Sequence, residues 1–205
     1  MITIIDYGMG NIGSIVNLCR YLGIPAKVCA EPAAIARAAK LILPGVGAFD
    51  AGMNNLEKCG LLPALQQRVV VEQTPILGIC LGMQLLARRS EEGIRPGLGW
   101  IDADVVRLRS IPGQQPALQI PHMGWSQLAP RAGSRLCADL PADPRFYFVH
   151  SYHVVCDHPE DVAATTDHGG PVTAVIERGH LLGTQFHPEK SHRFGMQLLR
   201  NFARL

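Results

Sequence analysis

Gly78-Ile79-Cys80-Leu81-Gly82 follows the apolar run Pro75-Ile76-Leu77 and leads directly into Met83-Gln84-Leu85-Leu86-Ala87. The order of these runs predicts a strand that turns sharply into a helix, the nucleophile elbow, here with Cys in place of Ser. Glycines permit the strained backbone and the close approach of neighbouring chain, while the start of the helix favours a thiolate. Cys80 is therefore predicted to be a reactive nucleophile. The alternative is a buried, inert cysteine at a strand-to-helix junction, because motifs of this length recur by chance.

A second stretch, Gln185-Phe186-His187-Pro188-Glu189, contains a candidate base and a carboxylate. In an extended segment, residues two apart point to the same side, so Glu189 could hold the imidazole of His187. Pro188 biases His187 away from helix. A Cys nucleophile, a His base and an orienting carboxylate form an acyl-transfer triad, which is recognised by roles rather than by chain order. Taken without Cys80, the two residues could instead be a solvated surface pair.

Together these motifs resemble those of the class I, triad-type glutamine amidotransferases. More closely, the chain resembles the family of glutaminase subunits of imidazole glycerol phosphate synthase. The resemblance runs nearly end to end, through Ile5-Asp6-Tyr7-Gly8-Met9-Gly10-Asn11, Leu43-Pro44-Gly45-Val46-Gly47-Ala48-Phe49, Gly78 to Gln84, Pro121-His122-Met123-Gly124-Trp125, Phe148-Val149-His150-Ser151-Tyr152, and Gln185 to Ser191. The elbow and triad specify only the superfamily, whereas the Pro-Gly-Val-Gly and Pro-His-Met-Gly-Trp segments point to the subunit.

The resemblance implies a flavodoxin-like class I glutamine amidotransferase fold of the α/β class, in one domain covering residues 1–205. Its central sheet should be largely parallel and flanked by helices, with additional antiparallel strands. The implied activity is hydrolysis of glutamine through a Cys80 thioester. Ammonia would pass to a (β/α)8-barrel cyclase/synthase subunit, which forms imidazole glycerol phosphate and AICAR in histidine biosynthesis.

The resemblance also implies roles for three further groups of residues. The oxyanion hole should combine the backbone of Leu81 with that of Gly45, Val46 and Gly47, and a peptide flip there should complete it only in the active complex, so the free subunit should be nearly silent. Substrate glutamine should contact Gln84 and Glu92, helped by the backbone of His150, Ser151 and Tyr152. The partner should contact Asn11, Pro121, His122, Met123, Trp125 and Lys190. From the residues alone, Gln84 and Glu92 could be solvated and Trp125 could belong to the core.

Composition agrees with a single globular enzyme. The chain has 205 residues, of which 47% are apolar and 18% charged, enough for one substantial core. A net charge of +2, with no basic run longer than Arg88-Arg89, argues against nucleic acid or an anionic membrane as partners. No signal peptide and no apolar run of spanning length is recognisable, so a cytoplasmic location is expected.

Cysteines and histidines give no sign of a metal site or cofactor. The six cysteines form no CxxC pair and read as free thiols. The eight histidines form no recognisable ligand set. His150 and His153 lie three apart in a run that reads as one strand, which would place them on opposite faces. We therefore expect neither metal nor cofactor.

Hydrophobic patterning predicts alternating strands and helices in the first half, hence a parallel sheet with helices on its faces. From about Gly99 onward the pattern becomes rich in β-strands and includes an apparent hairpin, and the chain closes with an amphipathic helix. The predicted strands cover residues 2–5, 26–30, 41–43, 77–80, 104–108, 146–156, 162–166, 172–176 and 181–186. The predicted helices cover residues 14–22 and 33–39, two stretches between 48 and 72, and a last one around 194–205.

Three alternatives compete with this interpretation. Gly8-Met9-Gly10-Asn11-Ile12-Gly13 matches a dinucleotide fingerprint, with Glu31 as a ribose-binding acid, but Asp6 and Tyr7 separate the strand from the first glycine, and the triad would have no role. A non-catalytic relative would be expected to have lost part of the triad. The chain departs from the common family pattern at His153, a position that is often aromatic. The region 190–197 resembles a paralogous glutaminase that supplies ammonia for amino sugars of surface polysaccharides, and the motifs leave that choice open.

Overall fold

The parallel half of the sheet is built from short, almost wholly buried strands. The computed structural model describes residues 1–110 and 118–205. Near-continuous apolar runs form these strands because both of their faces are covered, as in other parallel sheets. They are β1 (Ile2–Ile5), β2 (Ala26–Cys29), β3 (Lys40–Gly45) and β4 (Ile76–Cys80). They pair in parallel in the order β2-β1-β3-β4, which confirms the predicted βαβ series.

The helices cover both faces of this sheet. They are α1 (Ile12–Tyr21), α2 (Pro32–Ile35), α3 (Phe49–Lys58), α4 (Leu62–Leu65), which continues as a π-helical turn over Gln66–Val71, α5 (Leu81–Leu85) and α6 (His192–Arg204). Only α2 is much shorter than predicted. Beyond Ile35 the amides of Arg37 and Ala38 bond to carbonyls three residues back, and this tighter turn leads the chain into β3.

The second half adds antiparallel strands to the same sheet. These are β6 (His122–Pro130), β7 (Arg145–His150), β9 (Val162–Asp167), β10 (Pro171–Arg178) and β11 (Leu181–Thr184). Strand β11 pairs in parallel with β4, and the nine-stranded sheet has the order β2-β1-β3-β4-β11-β10-β9-β6-β7. The predicted hairpin is confirmed as β10 and β11. The predicted α/β architecture, a parallel sheet extended by antiparallel strands, is likewise confirmed.

Two predictions about the second half are wrong in detail. The run 146–156 is not one strand, because it breaks at Ser151 into β7 and β8 (Tyr152–Cys156), and β8 pairs with β5 (Ala103–Arg107) in a separate two-stranded sheet. His150 and His153 therefore lie in different strands rather than on two faces of one. Strand β6 was not predicted at all, since its residues are mostly exposed and show no buried apolar alternation.

The sheet separates two hydrophobic clusters. Alternate residues of the strands point to opposite faces, so Ile5 and Leu43 join one cluster while Ile4 and Ile42 join the other. The predicted amphipathic face of α6 packs in the second cluster through Phe194, Leu198 and Phe202. All six cysteines are free thiols. Among residues 1–110 and 118–205, no helix has both the length and the apolar character that crossing a membrane requires.

Candidate active site

The nucleophile elbow is built by close packing around Cys80. This residue ends β4 with φ +55° and ψ −111°, a conformation that non-glycine residues rarely adopt, and α5 begins at the next residue. A Cβ atom at Gly78 would lie 2.6 Å from the carbonyl oxygen of Gly82, and one at Gly82 would collide with the carbonyl of Leu43. Both glycines are therefore required by space. The elbow geometry predicted from the sequence is confirmed.

His187 and Glu189 form a buried pair, as their spacing suggested. His187 Nδ1 lies 2.9 Å from Glu189 Oε1, and each side chain is only 2% exposed. Since a carboxylate can only accept, Nδ1 carries the proton and Nε2 is the atom available for chemistry. Within the part of the chain that the structure describes, Nε2 has no hydrogen-bond partner. The local geometry differs from the expectation, because Pro188–Lys190 forms a 3₁₀ turn rather than an extended segment.

The charge state of His187 follows from its neighbours. Burial by itself would lower the pKa of His187, but the Cys80 sulfur and the Glu189 carboxylate outweigh burial and raise this pKa to about 9. The imidazole of His187 therefore carries a positive charge at neutral pH. Burial, with a contribution from the negative charge on Cys80, also raises the pKa of Tyr7, so the phenol stays protonated.

A cavity of about 270 Å³ brings most of the predicted site residues together. Its volume suits a ligand of amino-acid size. It is lined by Val46, Gly47, Cys80, Leu81, Gln84, Glu92, Val149, His150, Ser151, Tyr152 and His187. Gly45 is not on this surface but lies opposite Cys80 in the register of β3 and β4. The break at Ser151 is what carries the segment 150–152 across the cavity.

The segment after β3 is supported by the glycine-rich loop after β1. The hydroxyl of Tyr7 donates to the carbonyl oxygen of Pro44 at 2.7 Å. A Cβ atom at Gly10 would lie 2.8 Å from the Cβ of Pro44, so only glycine fits there. Packing against Pro44 and Gly45 thus explains part of the glycine pattern without a dinucleotide.

Two buried glutamine side chains connect the cavity to the nucleophile. Gln84 Nε2 donates to the carbonyl oxygen of Tyr152 at 2.9 Å and to Gln185 Oε1 at 3.0 Å. Gln185 Nε2 lies 3.8 Å from Cys80 Sγ. Gln185 was not predicted as a site residue, although it stands two positions before His187. The only available signal was its place in the motif, because no spacing rule links it to Cys80.

Glu92 stands at the edge of the cavity and has a second role. Its Oε2 accepts a hydrogen bond from the backbone N–H of Phe49 at 2.8 Å, which satisfies one of the free amides at the start of α3. Its own backbone N–H donates to Ser90 Oγ at 3.1 Å. Glu92 is therefore an exposed residue whose carboxylate both lines the cavity and caps α3.

A chain of neutral histidines leads from the cavity to β6. His150 Nδ1 lies 2.9 Å from the carbonyl oxygen of Tyr152, and His150 Nε2 lies 3.1 Å from His122 Nδ1. Burial lowers the pKa of His150 to about 3 and that of His122 to about 4, so both are neutral. A carbonyl only accepts, so each ring is protonated on Nδ1, and Ser126 Oγ donates to His122 Nε2 over 2.7 Å.

The predicted partner residues separate into one exposed group and one buried residue. Met123 is 62% exposed and Trp125 is 47% exposed, so Trp125 does not belong to the core. The Trp125 ring stacks on His192 with centroids 5.4 Å apart. The remaining exposed members are Asn11, whose side chain caps α1, Pro121 and Lys190. His122 differs from the expectation: it is 2% exposed and stacks on Phe148, so it offers no surface contact.

The cysteine elbow, the buried histidine–carboxylate pair and the cavity that they share are the features of a triad amidotransferase. The chain belongs to the family described as glutamine amidotransferase class-I, whose profile matches residues 3–205. Within it, the chain belongs to the HisH subunits of imidazole glycerol phosphate synthase. It is 47% identical over 205 residues to subunit HisH 2 of Pseudomonas aeruginosa, covering 100% of both chains. It is also 47% identical to subunit HisH 2 of Methanococcus maripaludis, covering 100% of this chain and 99% of that one.

Solved structures agree with the fold. A crystal structure of a glutamine amidotransferase matches with a TM-score of 0.68 at 21% sequence identity, covering 99% of each chain. At this identity the likeness concerns the fold alone. The parallel sheet with its antiparallel extension is therefore a shared scaffold.

Proposed function

We propose that this chain is the glutamine-hydrolysing subunit of imidazole glycerol phosphate synthase and supplies ammonia for imidazole glycerol phosphate and AICAR formation in histidine biosynthesis. The observation that carries the proposal is the meeting of Cys80 with the buried His187–Glu189 pair at one cavity of amino-acid size. The full-length identity to HisH subunits supports the pathway. Such a role agrees with the cytoplasmic location expected from the sequence.

The mechanism divides the work between Cys80 and His187. The thiolate of Cys80 attacks the side-chain carbonyl carbon of glutamine and forms a C–S bond. His187 then gives its Nε2 proton to the amide nitrogen, the C–N bond breaks, and ammonia leaves behind a thioester. Neutral His187 next takes a proton from water, whose oxygen attacks the thioester carbon. The C–S bond breaks, releasing glutamate and restoring the thiolate beside the imidazolium.

Negative charge on the substrate oxygen requires donors during both steps. Leu81 opens α5, so its backbone N–H has no acceptor within that helix. A second N–H would come from the segment Gly45-Val46-Gly47, of which Val46 and Gly47 line the cavity. Tyr7 and Gly10 pack against Pro44 at the start of this segment, while Val46 is 43% exposed.

The polar end of glutamine would meet acceptor atoms. Both hydrogens of Gln84 Nε2 are used by protein acceptors, so Gln84 offers its Oε1 to the cavity. Glu92 has one carboxylate oxygen beyond its bond to Phe49. Acceptors of this kind suit the α-ammonium group. The backbone of Ser151 and Tyr152 would complete the contact with the substrate.

The partner subunit would dock beside the cavity. Met123 and Trp125 are exposed on β6, and Met123 pairs across the ladder with Val149, which lines the cavity. Asn11, Pro121 and Lys190 would extend this docking face. Free ammonia in water is mostly protonated and no longer a nucleophile, so a protected passage into the partner is needed. We infer that the partner is a (β/α)8-barrel synthase subunit.

Replacing Cys80 tests the proposal. Cys80→Ser should abolish glutamine-dependent synthesis by the two-subunit enzyme and leave synthesis from added ammonium chloride intact, because only the ammonia source is lost. Retained glutamine hydrolysis would contradict the mechanism. Complementation tests the acceptor: the gene should restore growth without histidine to a strain that lacks its own glutaminase subunit. Failure to do so by a protein with active glutaminase chemistry would favour the amino-sugar paralogue.

A further inference from the structure

Gln185 is a polar side chain buried beside the nucleophile, and the proposed mechanism does not use it. It follows β11 directly, and its relative exposure is 0%. Its backbone N–H donates to the carbonyl oxygen of Ala174 at 2.9 Å, which fixes the main chain. A fully buried amide must satisfy its donors and acceptor within the protein, so its contacts define what it can do.

The orientation of the amide follows from its neighbours. The carbonyl oxygen of Tyr152 can only accept, so the Gln84 atom facing it is Nε2. That same nitrogen faces one terminal atom of Gln185, which must therefore be Oε1. The remaining terminal atom of Gln185 is Nε2, directed at Cys80 Sγ over 3.8 Å. Rotating the amide by half a turn would place two donors against each other and an oxygen against a thiolate.

We propose that Gln185 donates a hydrogen bond from Nε2 to the Cys80 thiolate and holds the nucleophile ionised and oriented for attack. The inference rests on the proposed role of Cys80. Unlike His187, an amide cannot surrender its proton, so this contact persists when His187 protonates the leaving nitrogen.

The same donor assists twice in the reaction. It increases the fraction of thiolate before attack, and this gain exceeds the accompanying loss of intrinsic nucleophilicity, because nucleophilicity falls with a Brønsted slope of only about 0.4–0.5. It also stabilises the thiolate as the leaving group when the thioester is hydrolysed. Gln84 links this donor to the substrate end of the cavity, because the Gln84 side chain both bonds to Gln185 and lines the cavity.

Two substitutions separate the donor from the rest of the side chain. Gln185→Glu keeps the shape and the acceptor for Gln84 but presents no donor to the thiolate when ionised. Gln185→Met keeps the length and removes both polar contacts. Gln197→Met on α6 is the matched control, because it replaces a partly buried glutamine whose side chain bonds to Asn201 away from the cavity.

Alkylation of Cys80 by iodoacetamide, followed by mass spectrometry across pH, reads the thiolate without substrate or partner. In both Gln185 variants the rate at pH 7 should fall about tenfold and the profile should move up by about one pH unit, as expected for loss of one bond to a charged group. With the partner present, Gln185→Glu should lower the kcat for glutamine hydrolysis about tenfold or more with little change in KM. Gln185→Met should change both constants.

The outcomes distinguish this role from simple packing. Folded Gln185→Glu with a wild-type alkylation profile and kcat would overturn the proposal, whereas hydrolysis by Cys80→Ser would instead overturn the proposed function. Gel filtration of each variant, alone and with the partner subunit, reports whether the variant folds and binds its partner. If the variants do not fold, the wild type still decides: the side-chain amide resonance of Gln185 should shift with pH together with ionisation of Cys80 and should not do so in Cys80→Ala. A resonance independent of Cys80 would overturn the role.

Discussion

At Cys80 the backbone conformation and the side-chain chemistry depend on each other. A φ of +55° turns the thiol away from the strand and toward the cavity, and Gly78 and Gly82 make room for that turn. His187 lies at the same cavity, and its raised pKa keeps the imidazole charged at neutral pH. The reactive pair is thus assembled before substrate binds.

His187 and Glu189 should differ in their importance. His187→Ala removes the group that transfers the proton, whereas Glu189→Gln leaves an imidazole that is less well oriented and less strongly charged. Glu189→Gln should therefore be at least about tenfold more active than His187→Ala in partner-stimulated glutamine hydrolysis.

The same pair of variants yields a pH signature. Glu189 contributes to the raised pKa of His187, so in Glu189→Gln the imidazolium of His187 should lose its proton at a lower pH than in wild type. The alkaline limb of its kcat profile should accordingly move to lower pH than in wild type. Wild-type rates in both variants would show that the triad is misassigned.

At the scale of elements, the junctions of β6, β7 and β8 hold the histidine chain. His122 begins β6 and pairs in register with His150 at the end of β7, so their rings meet inside the sheet. His168 stacks on His122 at 4.0 Å, and repulsion from neighbouring histidines adds to the larger effect of burial in lowering the pKa of His150. The chain thus joins the cavity to β6 with neutral groups.

This arrangement predicts a loss of stability in acid. The pKa values of His122 and His150 both lie below the ordinary 6.5, so the contribution of this pair to the free energy of unfolding is complete above pH 6.5. Below that pH both histidines become protonated in the unfolded chain. In the folded chain His122 binds a proton only near pH 4 and His150 only near pH 3. The free energy of unfolding should fall by up to about 1.4 kcal/mol per pH unit for each histidine.

Urea unfolding at a series of pH values between 7 and about 4.5 measures the slope. His122→Asn keeps a donor near the position of Nδ1 but does not titrate, so its slope should be smaller than that of wild type by up to about 1.4 kcal/mol per pH unit. His192→Asn, at an exposed position, should leave the slope unchanged. An unaltered slope in His122→Asn would show that the histidine chain does not cause the acid sensitivity.

At the scale of the whole molecule, the proposed docking face lies beside the cavity, because Met123 pairs with Val149, which lines it. If the segment Gly45-Val46-Gly47 rearranges when the partner binds, the partner with its nucleotide ligand should raise glutamine turnover by at least ~100-fold, the contribution of one oxyanion donor. Trp125→Ala should weaken partner binding by about 2 kcal/mol or reduce the stimulated turnover, because the ring is an exposed aromatic anchor.

Glutamine hydrolysis with and without the partner, for wild type and Trp125→Ala, is the measurement. Tyr21→Ala is the matched control, since Tyr21 is a surface aromatic, 74% exposed on α1. Full activity of the isolated wild-type subunit would contradict the coupling. Global unfolding of Trp125→Ala would contradict the surface role of the ring.

The sequence by itself determined the elements whose cause is local. Continuous apolar runs predicted the parallel strands, the glycines around Cys80 predicted the elbow, and the spacing of His187 and Glu189 predicted their contact. Each signal lies within a few neighbouring residues, so it can be read without the fold.

Only the tertiary structure decided the contacts between distant segments. Strand β6 escaped prediction because its side chains are mostly exposed, and the break at Ser151 occurs because β7 and β8 pair in different sheets. The burial of His122 and the bond from Gln185 to Cys80 depend on strands far apart in the chain. Hydrophobic periodicity indicates which side of a helix or strand is buried. Which other element packs against that side is set by the packing of the whole sheet.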